Sequence, residues 1–415
     1  MAVVNVWGPL GSTVDAVCPE PPEPEEIWPL TTGAGGTAWV YPSPASRGGL
    51  VRPVVLADGF AAGRSSLAEL WAGLEDNGRY RFVSALHAIG RDVVLLGFDD
   101  RAACLLTSAE TVIECLGEVL AERVGAAPLV AGGFGTGGLV VRYALARMQR
   151  DPALPDPETG LYLSYDTPHT GAWLPVSLQA FAHFVKENWG MHNPLFARFS
   201  ELVDSPAARQ TARWHLGKIG DRPGRGIERL NFLDELAAVG QWPRDMRRVG
   251  VANGVRTGVG NGIDPDTAAV SGYGEVLTEA TLFTQDTGER VVATLHCADR
   301  PAVDVYAGGL PDIDGAPGGL FPESPTAPGS FGLAAMLMRM LGCEEVDRRY
   351  STCCFVPTVS AVAAGPIDDP DVLYREIRDQ DSELDAFACA SGNEGHTTMT
   401  EELGSWLVEQ IDACP

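Results

Sequence analysis

Short apolar runs alternate with amphipathic stretches over the first 170 residues. Arg52-Pro53-Val54-Val55-Leu56-Ala57, Arg91-Asp92-Val93-Val94-Leu95-Leu96-Gly97-Phe98, Ala127-Pro128-Leu129-Val130-Ala131 and Gly160-Leu161-Tyr162-Leu163-Ser164-Tyr165 are nearly unbroken apolar runs. They read as strands buried on both faces. Between them, residues 65–73 predict a helix capped by Ser65 or Ser66. Residues 108–124 predict a longer one, with Val112, Ile113, Leu116, Val119 and Leu120 on its apolar face. Leu139-Val140-Val141-Arg142-Tyr143-Ala144-Leu145 opens a third. Strands alternating with helices predict an α/β protein, with a mostly parallel sheet and helices on both faces.

The alternation breaks at residues 172–240. Two amphipathic helices rich in Trp, Phe and Leu are expected over 177–188 and 193–215. Large apolar residues beyond a strand end suit a helical lid over a ligand site, or an ordinary elaboration of the core. The sheet resumes at residues 246–254. Thr-, Val- and Gly-rich stretches predict an inserted β-hairpin region over about 255–330, including a Pro/Gly loop at 311–330. A helix follows at 331–341. Residues 354–360 read as the last sheet strand, and 400–411 as the closing helix. Residues 1–45, rich in Pro and Gly, read as an extended lead-in outside a single 46–415 domain.

Composition narrows the partners. The formal net charge is −25, which argues against nucleic acid and anionic membrane surfaces, since both need basic patches. No apolar run approaches the ~18 residues of a membrane-spanning helix, and the N-terminus lacks a signal-peptide pattern. The nine cysteines are irregularly spaced and form no Cys-x-x-Cys pair. Reduced, buried thiols in a cytoplasmic protein are expected, with no metal site. Abundant Ala, Gly and Arg suggest a high-GC bacterial source.

The chemistry centres on an absence. Gly132-Gly133-Phe134-Gly135-Thr136-Gly137-Gly138 joins a predicted strand to a predicted helix. A nucleophile elbow has that form but reads Gly-x-Ser-x-Gly. Gly135 has no atom with which to attack a carbonyl. The Gly-x-Gly-x-x-Gly spacing is met here only by ignoring Gly132 and counting from Gly133, and no acidic residue closes a strand about 20 residues on, so no nucleotide cofactor is implied. Gly-rich residues 308–319 lack the ligand spacing of a calcium loop.

Several segments together resemble lipase-like α/β-hydrolases, over roughly residues 50–415. Val54-Val55-Leu56-Ala57-Asp58-Gly59-Phe60 is similar to their first core strand and oxyanion loop, with Asp-Gly for the common His-Gly. Gly133 to Tyr143 is similar to their elbow, and Asp166-Thr167-Pro168-His169-Thr170-Gly171 to a lipase Thr-Pro-His segment. The resemblance places the nucleophile position on Gly135 and the catalytic histidine on His396. It implies backbone N–H donors at Phe60 and Thr136. Thr136 is the nearest hydroxyl, but the residue after a nucleophile turns its side chain away.

The acid that would orient His396 is open. The family's usual place falls near Cys353, which is no acid, leaving Asp368, Asp369 and Asp371 or the uncharged Asn253. Asp58 reads either as an acid/base partner facing His396 or as a turn residue bonding its own loop. Phe134, Asp166, His169 and Trp173 are expected near the pocket, with Asp166 and His169 also fitting a structural role at the lid's start. Three functions follow. One is non-hydrolytic acid–base chemistry with His396 and Asp58 (cyclisation, elimination or isomerisation) on a small apolar, natural-product-like molecule. The others are an esterase or lipase with its nucleophile removed, and a non-catalytic ligand-binding pseudohydrolase.

Overall fold

The computed structural model describes residues 20–46, 48–76, 79–323 and 329–415. Its strands are β1 Glu26–Leu30, β2 Gly36–Tyr41, β3 Pro53–Ala57, β4 Asp92–Phe98, β5 Leu129–Phe134, β6 Thr159–Tyr165 and β7 Arg247–Ala252. They continue with β8 Ala268–Gly274, β9 Leu277–Phe283, β10 Arg290–Cys297, β11 Val303–Ala307, β12 Gly318–Leu320, β13 Cys343–Arg348, β14 Cys354–Pro357 and β15 Ala386–Cys389. Eight of them form one sheet in the order β1-β2-β4-β3-β5-β6-β7-β15. Pairing from β4 to β15 is parallel, and β1 and β2 add an antiparallel edge. This is a mostly parallel sheet with helices on both faces.

Strand periodicity builds the two cores. Val55, Ala57, Val94, Leu96 and Ala131 point to one face, where helices Leu105–Glu122 and Thr136–Arg150 pack. Val54, Leu56, Val93, Leu95 and Val130 point to the other, under helices Phe82–Ala88 and Glu401–Asp412. Both sets are fully buried, so the period-two signal of a one-sided strand is erased and an unbroken apolar run remains.

Four features differ from expectation. The lead-in is not outside the domain from residue 20 on, because residues 26–41 contribute β1 and β2 to the sheet. Gly33, Gly35 and Gly36 punctuate that segment, and an added Cβ at Gly36 would meet Gly97 O at 2.2 Å. The glycines there serve close strand approach. The rest of the lead-in, residues 1–19, lies outside the described residues. The second lid helix is broken: Pro194–Val203 ends, Ser205 caps Pro206–Thr211 through the Ala208 N–H, and Pro206 starts the new helix. A further helix, Ile227–Ala238, completes that region.

The third difference is at the sheet's end. Residues 354–357 pair antiparallel with β12, apart from the main sheet. The last sheet strand is β15, a half-buried four-residue edge paired with β7 alone. An edge with one neighbour and little burial leaves almost no apolar signature. The inserted region is larger than a hairpin and reaches past residue 330. It is a five-stranded antiparallel sheet, β11-β10-β9-β8-β13, packed against helices Val176–Trp189 and Ser330–Met340.

Candidate active site

The segment Gly133–Gly138 makes the strand-to-helix turn at the carboxyl end of β5. Gly135 sits there at φ 52°, ψ −122°, in the positive-φ region where an L side chain is strained. Its neighbours are glycines for a different reason. A Cβ on Gly137 would meet Asp58 O at 2.3 Å, and one on Gly138 would meet Thr167 Oγ1 at 2.0 Å. The loops after β3 and β6 therefore close directly onto the start of helix Thr136–Arg150.

Where a side chain on Gly135 would begin, His396 is already present. A Cβ built at Gly135 lies 2.7 Å from His396 Nε2, tighter than real contacts allow. The ring has settled partly into the space of the missing side chain. His396 arrives on the loop after β15, tied by its own N–H to Leu320 O at 2.7 Å. Phe355 stands edge-on to its ring at 5.0 Å.

The acid is Asp166. Its Oδ2 lies 2.7 Å from His396 Nδ1, and the two side chains are 0% and 6% exposed. An ionised carboxylate only accepts, so Nδ1 is the donor to Asp166 and Nε2 is the ring nitrogen that faces Gly135. Asp166 Oδ1 also accepts the Asn253 N–H at 3.0 Å. Asp166 has φ 48°, and Gly319 leaves it room, since a Cβ there would meet Oδ2 at 2.0 Å.

This corrects the expectation for the acid. Asp368 pairs with Arg213 and Arg225, and Asp369 caps a short helix through the Asp371 N–H. Asn253 touches the acid and not the histidine ring. No local pattern in the sequence marked Asp166 as the acid; register did: Phe134 pairs with Tyr165, so the next residues, Gly135 and Asp166, leave the sheet side by side.

Asp58 does not face this site. Its carboxylate accepts from its own loop at Gly59 N (2.7 Å) and from Ser65 Oγ (2.7 Å). Arg101 Nη1 lies 3.5 Å away. Burial raises its pKa, opposed by Arg101, Ser65 and Gly59. The turn residue's demand for local hydrogen bonds has won over the acid/base role.

Phe134 is not a pocket residue either. It packs beneath the sheet against Tyr165, ring centroids 5.5 Å apart. His169 is drawn into the core: Nε2 reaches Ser164 Oγ at 3.1 Å and Nδ1 faces Arg142 Nη1 at 3.3 Å. Burial, then the Arg142 charge, holds its pKa well below the ordinary histidine value.

A cavity of about 40 Å³ lies over His396, room for only a few water molecules at the ~10–15 Å³ each requires. Phe60, Thr136 and Trp173 line it, with Leu202, Val203 and Ala208 from helices Pro194–Val203 and Pro206–Thr211. The backbone N–H groups of Phe60 and Thr136 have no protein acceptor among the described residues. Thr136 opens the 15-residue helix Thr136–Arg150, whose positive end favours a developing anion. No cluster of three His, Cys, Asp or Glu suited to a metal occurs among the described residues, and no described helix is long and apolar enough to cross a membrane.

No protein-family model matches the chain, and no curated protein matches it. Among solved structures it is similar to a Bacillus licheniformis lipase in its mature form, at 12% identity and TM-score 0.31, over 55% of this chain and 72% of that one. It is also similar to an esterase from the archaeon Pyrobaculum calidifontis, at 13% identity and TM-score 0.32, over 55% of this chain and 65% of that one. A third is esterase Est22, at 15% identity and TM-score 0.31, over 55% of this chain and 62% of that one. The chain thus spans less than two thirds of the latter two. Likeness at this level assigns no activity.

Proposed function

We propose that this protein is an acid–base catalyst built on an α/β-hydrolase-like frame, without a covalent nucleophile. The observation that carries the reading is the buried Asp166–His396 pair, with Nε2 aimed at the apex of an elbow that offers no side chain. A buried carboxylate is expensive to desolvate, and Asp166 holds a positive φ of 48°, strained for a residue with a side chain. Such features cluster at working sites. His396 takes a proton from a substrate carbon or hydroxyl and returns it elsewhere on the same molecule. Charge developing on an adjacent oxygen meets the N–H groups of Phe60 and Thr136. The chemistry is isomerisation, elimination or cyclisation of a small apolar molecule. A molecule larger than a few waters requires Leu202, Val203 and Ala208 to move outward. The eight described cysteines are all unpaired, which supports a reducing, cytoplasmic setting.

The test is solvent-deuterium exchange at the α-carbon of 2-hexanone, followed by NMR. Wild type accelerates exchange, and His396→Ala and Asp166→Asn lose it by about 10²–10⁴-fold. Equal rates in wild type and His396→Ala would sink the proposal.

One observation favours a second reading, a disabled hydrolase: the Gly135 Cβ direction points straight at His396 Nε2. Under that reading Gly135→Ser restores cleavage of p-nitrophenyl acetate. Under ours it yields little, because the ring must first retreat by several tenths of an ångström. If Gly135→Ser hydrolyses the ester rapidly and wild type exchanges no protons, the second reading stands. If wild type binds ketones without exchange and Gly135→Ser stays inert, the site only binds.

A further inference from the structure

Buried side-chain polar atoms without a hydrogen-bond partner occur at several places among the described residues, but of the residues lining the cavity only Thr211 carries one, Oγ1. Thr211 is 5% exposed. It ends helix Pro206–Thr211 and stands in the lid-side wall among Ala208, Ala212, Leu202 and Val203. Nothing local relieves it. A threonine in a helix ordinarily turns its hydroxyl to the carbonyl one turn back, and this one does not. Nor is its backbone free to rotate the group away. Thr211 O accepts from Ala172 N at 3.0 Å and from Arg229 Nη1 at 3.0 Å, and Arg229 is itself buried. A valine would fill the same space without an orphaned hydroxyl, whose burial is destabilising.

We infer that Thr211 is a second anchor for the bound molecule. The ligand is then a small, mainly hydrocarbon molecule with two oxygen functions. One lies beside His396 and the donors at Phe60 and Thr136, and a second, a carbonyl or hydroxyl, is held by Thr211. The first oxygen rests on the acid–base reading given above; the second rests on the Thr211 hydroxyl alone. A wall otherwise made of hydrocarbon gives this one contact an outsized share of selectivity. A site built to bond an oxygen rejects the analogue lacking it, because its own polar group is left unpaired.

The experiment is an NMR titration of the full chain with 2,5-hexanedione and with 2-hexanone, which share a carbon skeleton and differ by one carbonyl. Wild type binds the diketone about fivefold more tightly, the worth of one hydrogen bond. Thr211→Val brings the diketone down to the monoketone and leaves the monoketone unchanged. Thr211→Ser keeps the preference. The inference is overturned if wild type binds the two equally or binds neither, or if the preference survives in Thr211→Val. Should Thr211→Val fail to fold, the wild-type comparison and the loss or retention in Thr211→Ala still decide. Deuterium exchange in the same samples separates the two claims. A diketone preference without exchange removes the acid–base reading and keeps the anchor; exchange without preference does the reverse.

Discussion

Two buried aspartates stand at the carboxyl ends of two strands of one sheet, and they do opposite things. Asp58, after β3, faces Arg101; Asp166, after β6, faces His396. Both carboxylates are almost wholly hidden. The difference lies in the partner. A guanidinium keeps its proton at any accessible pH, so Asp58–Arg101 is a fixed dipole that pins the loop 58–65. An imidazole can take up and release a proton, so under the proposed function Asp166–His396 is the pair that moves one. Burial marks both aspartates, and partner chemistry alone separates scaffold from site. The same contrast holds for the histidines. His169 is also buried, and burial first, then the Arg142 charge beside it, holds its pKa well below the ordinary histidine value.

The largest expected effects break this comparison directly. Asp166→Asn lowers ketone exchange by about 10²–10⁴-fold and changes thermal stability less than Asp58→Asn does. Asp58→Asn removes one of the two carboxylates on the buried Arg101, Glu69 being the other, and is expected to cost about 1–3 kcal/mol of stability, with exchange retained in the folded fraction. Denaturant titration and exchange rates on both variants read this out. If Asp58→Asn abolishes exchange at full stability, the assignment of the two carboxylates is reversed.

A smaller effect sharpens it. Gly319→Ala puts a methyl 2.0 Å from Asp166 Oδ2 and must displace that carboxylate. Exchange falls, at a stability cost of about 1–3 kcal/mol, as for other overpacked sites. Native-like exchange in this variant would show that the Asp166–His396 contact is dispensable.

The smallest effect concerns His169. Its folded pKa is depressed while its unfolded value stays near 6.5. Below about pH 6.5 the unfolded chain binds a proton that the folded chain refuses, so stability falls as pH falls and is fully present above that value. The slope from this residue is about 1.4 kcal/mol per pH unit. His215, whose pKa is lowered by burial, adds to it in the same direction. Urea midpoints between pH 7 and 5 measure the slope. His169→Gln should reduce it, and an unchanged slope would mean that His169 is protonated in the fold.

Local pattern was enough for much of the molecule. Unbroken apolar runs marked β3, β4, β5 and β6 because strands covered on both faces need nothing else. The Gly-rich turn marked the elbow because close backbone approach excludes side chains, and the absence of a nucleophile at Gly135 is a fact of the sequence alone. Three-dimensional packing decided the rest. The acid passed to Asp166 because strand register sets it beside Gly135, a relation between residues 31 positions apart that no local window contains. Asp58 turned from the cavity because Ser65 and Arg101 were there to receive it. His396 and Asp166 are 230 positions apart, and Thr211 lines the same cavity as His396 only because the folded chain brings the two segments together. Backbone geometry is written locally, residue by residue. The state of a buried polar group depends on its partner, and partners are assembled only when the chain closes.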